Sequence, residues 1–200
     1  MKNWIEKEQL EEDILQSLKK DLKIDDFICT LLLQREVDSL KKAQNFFRPD
    51  INLLHDPFLM KDMKKVVEKI QNLKEHRIMI LGDYDVDGTT STAMLYKYFK
   101  NMGYDLLYYI PDRYEEGYGV SEKAIEHAEI NKVSLIITVD CGIKAIHQVD
   151  LSNSKNIEVV ICDHHLPGEQ VPNAFGILNP KQENCHCLLY TSPSPRDRSS

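Results

Sequence analysis

The segment that decides the fold reads Arg77-Ile78-Met79-Ile80-Leu81-Gly82-Asp83-Tyr84-Asp85-Val86-Asp87-Gly88. It joins a short apolar run, typical of a buried strand, to three carboxylates spaced two residues apart. In an extended chain, side chains at i, i+2 and i+4 point the same way, so the three carboxylates would crowd together. Like charges that close repel unless a cation lies among them, and Mg²⁺ and Mn²⁺ prefer oxygen ligands. The segment therefore favours a metal site, with an Asp-rich turn flanked by glycines as the simpler alternative.

Further polar residues follow two later apolar runs. Asp140 comes directly after Leu135–Val139, and the tripeptide Asp163-His164-His165 comes directly after Ile157–Cys162. In an open parallel sheet the carboxyl ends of the strands face one crevice, where ligands bind. Three strands would thus deliver carboxylates and imidazoles to one rim, which predicts a dinuclear metal site.

The chain from Arg77 onward alternates apolar runs with helical patterns. This rhythm predicts an α/β fold: a parallel, Rossmann-like sheet of five or more strands, with flanking helices and right-handed crossovers. The predicted strands are Arg77–Leu81, Asp105–Ile110, Ser134–Val139, Ile157–Cys162 and Phe175–Leu178. The predicted helices between them are Thr89–Met102, Ser121–Asn131 and Lys144–Ser152. Residues 1–76 carry helical apolar stripes, which predicts a helical N-terminal arm.

Composition and charge exclude some classes of protein. The 200 residues contain no apolar stretch approaching the roughly 18 residues of a membrane span. The N-terminus is too acidic for a signal peptide, and five cysteines form no even disulfide framework. These features predict a cytoplasmic protein. The net charge of −7 argues against DNA binding by this chain in isolation more than against a metal-dependent reaction.

Three motifs together carry a resemblance to a known family. Residues 82–91, 138–143 and 163–165 are similar, in order and spacing, to the first three motifs of the DHH phosphoesterase superfamily. Within it, the chain resembles the single-strand-specific DNA exonucleases. Shorter matches support that branch at residues 46–49, 54–58, 111–119 and 178–181.

The resemblance implies a metal-dependent phosphodiester hydrolase. The implied activity is 5′→3′ exonuclease action on single-stranded DNA in recombination and repair, with two Mn²⁺ or Mg²⁺ ions as cofactors. It also implies a monomer whose partners are single-stranded DNA, single-strand-binding protein and a RecQ-type helicase. Two alternatives stay open: a DHH oligonucleotide or cyclic-dinucleotide phosphodiesterase, and a degenerate DHH module that only scaffolds other proteins.

The resemblance also assigns the metal ligands. Carried over position by position, Asp85 would bind the first ion, Asp87 and His164 the second, and Asp140 would bridge both. Many superfamily members have a histidine at the position of Leu81. Without it, Asp83 is a substitute ligand, or water completes the coordination of the first ion.

The remaining site assignments concern the catalytic surroundings and the substrate. Asp163 would orient His164 or serve as a structural acceptor, and His165 would face the phosphate or bind a metal. A loop above the sheet would contact the substrate. Its assigned residues are Arg113, Tyr114, Gly117 and Tyr118. An arginine there could pair with a phosphate and a tyrosine could stack on a base.

The domain organisation follows from the same resemblance. Residues 77–187 would form the DHH catalytic domain, in truncated form, after the helical arm at 1–76. In the superfamily a later aspartate ligand and a basic strand-binding domain follow. Residues 188–200 are rich in Ser, Pro and Arg, so we expect a non-native, disordered tail there.

Overall fold

The structure is a computed structural model that describes residues 12–73 and 75–185. The tail predicted at 188–200 lies outside these residues. The chain divides into two compact units, Met1–His55 and Asp56–Ser200. Within the described ranges, no helix combines the length and the apolar character needed to cross a membrane.

The first unit is helical, as predicted. It contains α1 (Glu12–Leu22), α2 (Asp26–Leu33), α3 (Leu40–Phe47) and a 3₁₀ turn at Ile51–Leu53. The side chains of Asp25 and Ser39 cap α2 and α3 by accepting hydrogen bonds from backbone N–H groups. The core of this unit is a small cluster of apolar side chains, namely Leu18, Cys29, Leu32, Val37 and Ala43.

The second unit is a five-stranded sheet flanked by helices. After a 3₁₀ turn (Pro57–Leu59), its elements are α4 (Met63–Gln71), β1 (Arg77–Gly82), α5 (Val86–Asn101), β2 (Asp105–Tyr109), α6 (Glu122–Ile130), β3 (Val133–Val139), α7 (Ile146–Ser154), β4 (Glu158–Cys162) and β5 (Gly176–Leu178). The strand order is β2-β1-β3-β4-β5, and every neighbouring pair is parallel. The α/β fold class and all five strands are thereby confirmed.

Both faces of the sheet are covered, which is why its central strands are continuous apolar runs. Along β1, Met79 and Leu81 belong to the core on the side of α6 and α7. Ile78 and Ile80 alternate with them and pack in the opposite core, together with Val66 of α4. The polar ends of the central strands therefore emerge at one edge between two packed layers.

The division between the units differs from the predicted boundary at residue 76. Helix α4 lies in the sheet-containing unit, because Val66 is buried in the sheet's core. The Asp62 carboxylate just before α4 also accepts a hydrogen bond from the backbone N–H of Ile177 in β5, at 3.0 Å. The amphipathic pattern of this segment identified a helix but could not identify the surface that it covers.

The acidic segment after β1 is not an extended strand, so the prediction based on strand alternation is wrong there. Strand β1 ends at Gly82, and α5 begins at Val86, three residues before the predicted start. The cause is Asp85, which accepts a hydrogen bond from the Gly88 N–H at 2.9 Å and caps the helix. Asp87 consequently lies in the first helical turn.

Candidate metal centre

The centre of the site is Asp140, at the end of β3. Its carboxylate is only 8% exposed and lies 3.0 Å from Nε2 of His164 at the end of β4. Asp140 has a φ of 62°, in the left-handed region, which is unusual for a residue with a side chain. Its N–H donates to the Cys162 carbonyl at 2.9 Å. The last residue of β4 therefore helps to hold the turn that carries this carboxylate.

Asp163 is buried and its carboxylate is fully occupied by protein donors. One oxygen accepts from the N–H groups of His164 (2.7 Å) and His165 (3.0 Å) and contacts Nδ1 of His165 at 2.7 Å. The other oxygen accepts from the Ile143 N–H at 2.9 Å. Asp163 thus ties the turn after β3 to the turn after β4. Its side chain orients the ring of His165, whereas the ring of His164 contacts Asp140.

The hydrogen bond to Asp163 determines how His165 can act. An ionised carboxylate only accepts, so Nδ1 carries the proton and Nε2 of the neutral ring presents a lone pair. The rings of His164 and His165 lie 4.7 Å apart. Ligand atoms of Asp140, His164 and His165 all fall within 4.8 Å of one another, close enough to share one metal ion. This arrangement suits His165 better as a metal ligand than as a donor to phosphate.

The electrostatics of the centre favour a bound cation. Burial, reinforced by the negative charge of Asp85, raises the pKa of Asp140 to about 6, although His164 and His165 oppose the shift. Asp87 adds to the repulsion. A divalent ion would relieve this crowding of like charges and would favour the ionised carboxylates.

Asp83 is another buried carboxylate beside this group, and one of its oxygens is unsatisfied among the described residues. The residue is 2% exposed, and Oδ1 is a buried oxygen without a hydrogen-bond partner in the described part of the chain. Burial raises the pKa of Asp83, while hydrogen bonds from the N–H groups of Tyr84 and Gly119 oppose the shift. An unpartnered buried carboxylate oxygen is costly, so a metal or its water fits this position.

The residues predicted to bind the metal do not all converge. Asp140 and His164 are together, with His165 beside them. Asp85 and Asp87 are exposed at the start of α5 and do not belong to that close group, but their charges act on Asp140. Hard cations such as Mn²⁺ and Mg²⁺ bind carboxylate oxygens, whether these lie at the start of a helix or at the end of a strand. The donor set therefore fits one or two Mn²⁺- or Mg²⁺-sized ions.

The predicted substrate loop lies over the site, but its side chains differ in role. The Tyr118 hydroxyl donates to the Asp140 carbonyl at 3.2 Å and also lies 3.2 Å from Nδ1 of His165. Burial and the nearby charge of Asp163 raise the pKa of Tyr118, so its hydroxyl stays protonated. Tyr114 is 94% exposed, and Gly117 has a φ of 79°, which glycine adopts without strain.

Arg113 is held by an aromatic ring that sequence reasoning did not single out. Its guanidinium lies 5.3 Å from the ring centroid of Tyr84. In the sequence, Tyr84 stands between Asp83 and Asp85 of the first motif. Among the described residues it has no ion pair or hydrogen bond, so all its donors are available to an anion. The sequence feature that could have indicated this contact is a tyrosine placed between two aspartates.

Two further side chains near the site were missed. Lys144 and Gln148, at and after the turn that follows β3, line a cavity of about 250 Å³ that also borders His165. Nothing in their spacing marks them out, because an exposed lysine and a helical glutamine are common on any surface.

With this geometry established, comparisons with known proteins identify the family. Residues 77–192 match the DHH family, N-terminal domain. The chain belongs to the DHH family. The matched range contains Asp85, Asp140 and His164, so the candidate metal centre lies within the DHH domain.

This DHH chain is similar to bacterial exonucleases. It is 37% identical over 177 residues to the single-stranded-DNA-specific exonuclease RecJ of Bacillus subtilis, covering 88% of this chain and 22% of that protein. It is 38% identical over 127 residues to the RecJ of Escherichia coli, covering 62% and 22%. The chain thus spans about a fifth of the length of these relatives.

Solved structures agree with the DHH assignment. A crystal structure of exonuclease RecJ bound to manganese matches with a TM-score of 0.60 and 30% identity, over 66% of this chain and 34% of that one. RecJ of Thermus thermophilus in complex with Mn²⁺ matches with a TM-score of 0.66 and 22% identity, over 86% and 24%. The second match supports the fold alone.

Proposed function

We propose that this DHH chain carries the metal-binding part of a 5′→3′ exonuclease that hydrolyses single-stranded DNA in recombination and repair. The observation that supports it most is the convergence of Asp140, His164 and His165 beside an acidic helix start. Membership of the DHH family and the named activity of the RecJ relatives supply the substrate class. We further propose that the catalytic domain spans residues 77–187.

The proposed metal sites use the residues at the strand ends and the start of α5. Asp85 would hold the first Mn²⁺ or Mg²⁺ ion, Asp87 and His164 the second, and Asp140 both. A carboxylate suits the bridging position because its two oxygens can reach different ions. Bound divalent ions would supply an activated water and neutralise charge on the phosphoryl group. His165, expected from the resemblance to face the phosphate or bind a metal, would complete the second ion's ligands through Nε2, because its Nδ1 contacts Asp163.

Other residues of the chain would position the substrate. Arg113, with its donors available above Tyr84, suits a bidentate contact to a backbone phosphate. Tyr114 is exposed enough to stack on a base. Gly117 allows the loop to turn, and Tyr118 would hold the carbonyl of Asp140 and the ring of His165 in place.

Partners and location are proposals of the same kind. The resemblance to RecJ suggests single-strand-binding protein and a RecQ-type helicase as partners, and a monomer in the cytoplasm.

The test is metal binding and hydrolysis by the protein encoded in the full genomic reading frame. Asp140→Ala should abolish hydrolysis of a 5′-phosphorylated single strand in Mn²⁺ and should weaken Mn²⁺ binding by tenfold or more, roughly. Asp83→Ala should reduce hydrolysis and Mn²⁺ affinity by less, because Asp83 is proposed to hold at most one ion. Nuclease rates and calorimetric titration of Mn²⁺ measure both effects.

The matched control is Asp150→Ala, an exposed carboxylate on α7, which should change neither quantity. Equal losses for Asp83→Ala and Asp140→Ala would make Asp83 a full ligand. Faster hydrolysis of a dinucleotide than of a longer single strand would favour the oligonucleotide phosphodiesterase. No hydrolysis at all, with the fold intact, would favour the scaffold.

A further inference from the structure

A cavity of about 250 Å³ lies beside the metal centre, on the side of α6 and α7. Its apolar wall is formed by Val120, Ile143 and Ala145, and its polar lining includes Lys144 and Gln148. His165 and Asp163 border the same space, so the cavity adjoins the proposed catalytic site. A ligand in the cavity could therefore be covalently linked to a phosphate at the metal ligands.

Two polar side chains of the cavity are unused by the protein. The amide of Gln148 is half-buried and makes no hydrogen bond to any residue in the described ranges. The ammonium of Lys144 likewise has no ion-pair partner within 12–73 and 75–185. Asp163, in contrast, is saturated by backbone and imidazole donors. Lys144 and Gln148 thus offer unused polar groups to a ligand in this cavity, beside Nε2 of His165.

We propose that this cavity binds the sugar and base of the nucleotide whose phosphate lies at the metal centre, with Gln148 hydrogen-bonding the base edge. The inference rests on the proposed function, since it requires a nucleotide phosphate at Asp140 and His164. The apolar wall suits a deoxyribose and the face of a base, and Lys144 suits a ligand that carries phosphate charge.

A glutamine suits an enzyme that must accept every base. Its amide offers a donor and an acceptor side by side. The pairing edge of each of the four bases also presents a neighbouring donor and acceptor, so a flip of the amide matches any of them. Gln148 would therefore add affinity without selecting a sequence.

The first test is binding of the four deoxynucleoside 5′-monophosphates and of inorganic phosphate to the Mn²⁺-loaded full chain, by calorimetry. All four nucleotides should bind more tightly than inorganic phosphate. Gln148→Met keeps the length of the side chain but removes the amide. It should lower the affinity for each nucleotide by roughly fivefold, which corresponds to the loss of one hydrogen bond. Its effect on phosphate should be nil. Asp150→Ala, on the exposed side of the same helix, should change neither.

The second test is Gln148→Glu, because a carboxylate only accepts. Guanine alone presents two adjacent donors on its pairing edge, so this variant should prefer dGMP over dTMP where the parent chain shows little preference. A merely structural role for Gln148 would not create such a base preference.

Two kinds of failure are distinguishable. If nucleotides and phosphate bind equally and both Gln148 variants behave like the parent while hydrolysis persists, the cavity inference is overturned and the proposed function stands. If neither phosphate nor nucleotide binds in the presence of Mn²⁺, the proposed function itself fails.

Discussion

Gly82 and Gly88, which flank the acidic segment, lie where there is no room for a side chain. A Cβ added at Gly82 would lie 2.0 Å from Oγ1 of Thr92 and 2.7 Å from the carbonyl oxygen of Gly88. A Cβ at Gly88 would lie 2.4 Å from the carbonyl oxygen of Asp83. The end of β1 and the start of α5 therefore touch backbone to backbone, which presents the aspartates at one edge.

Gly82→Ala should destabilise the second unit by several kcal/mol, about 2–4, because the backbones must separate. The measurement is the midpoint and slope of urea unfolding followed by circular dichroism. Gly168→Ala is the matched control, since its Cβ would meet only an ordinary contact at 3.5 Å from the Gln170 carbonyl oxygen. Equal stability of the two variants would show that α5 can shift without cost.

At the level of elements, one carboxylate organises the long connection between β2 and α6. Glu116 accepts hydrogen bonds from the Tyr109 hydroxyl of β2 and the Asp112 N–H, both at 2.9 Å, and from the Ser121 hydroxyl that caps α6. Burial opposes its ionisation, but these hydrogen bonds lower the pKa of Glu116 overall. Burial and Glu116 together raise the pKa of Tyr109 to about 12.

Glu116→Ala should cost about 1–3 kcal/mol of unfolding free energy at neutral pH, since three donors lose a charged acceptor. The pKa is depressed on folding, so the contribution is present above the ordinary pKa of 4.5 and is lost as pH falls through the folded-state pKa. Urea unfolding at pH 7 and at about pH 3 should show the difference from the parent shrinking in acid.

Glu126→Ala is the control for this connection, because Glu126 is exposed on α6. It should change stability little at either pH. A difference between the Glu116 variant and the parent that is the same at both pH values would contradict the role given to the ionised carboxylate.

The molecule as a whole carries a net charge of −7, with 32 acidic against 25 basic residues. Phosphate contacts require a basic surface, and acidic residues outnumber basic ones in this chain. Metal ions at the acidic edge would offset part of this charge. We therefore expect this chain to bind a nucleic acid strand with low affinity.

The 200-residue chain should bind single-stranded DNA with a dissociation constant above about 10 μM, falling roughly tenfold in affinity between 50 and 200 mM salt. Mn²⁺ should still bind. Fluorescence anisotropy of a labelled oligonucleotide measures the DNA affinity, and calorimetric titration measures Mn²⁺ binding. Tight, salt-insensitive DNA binding would contradict the expectation drawn from the net charge.

The local pattern predicted the architecture better than the details of the site. The strands β1, β3 and β4 are predictable because buried parallel strands are short apolar runs in the sequence. The edge strand β2 is only partly buried, and its run at residues 106–109 is still apolar. The start of α5 was misjudged because three aspartates at alternate positions match an extended chain as well as a capped helix. The cap at Asp85 decides between them, and it requires the Gly88 N–H to fold back.

By itself the sequence determined the α/β class, the strand ends that carry the polar residues and the resemblance to the DHH family. Only the tertiary structure decided which side chains meet. The left-handed backbone of Asp140 is held by the Cys162 carbonyl of a neighbouring strand, and Asp163 turns His165 toward Asp140 by joining two separate turns. The Asp140–Cys162 and Ile143–Asp163 hydrogen bonds join residues about twenty positions apart, so their geometry depends on the register of β3 and β4 and not on any local pattern.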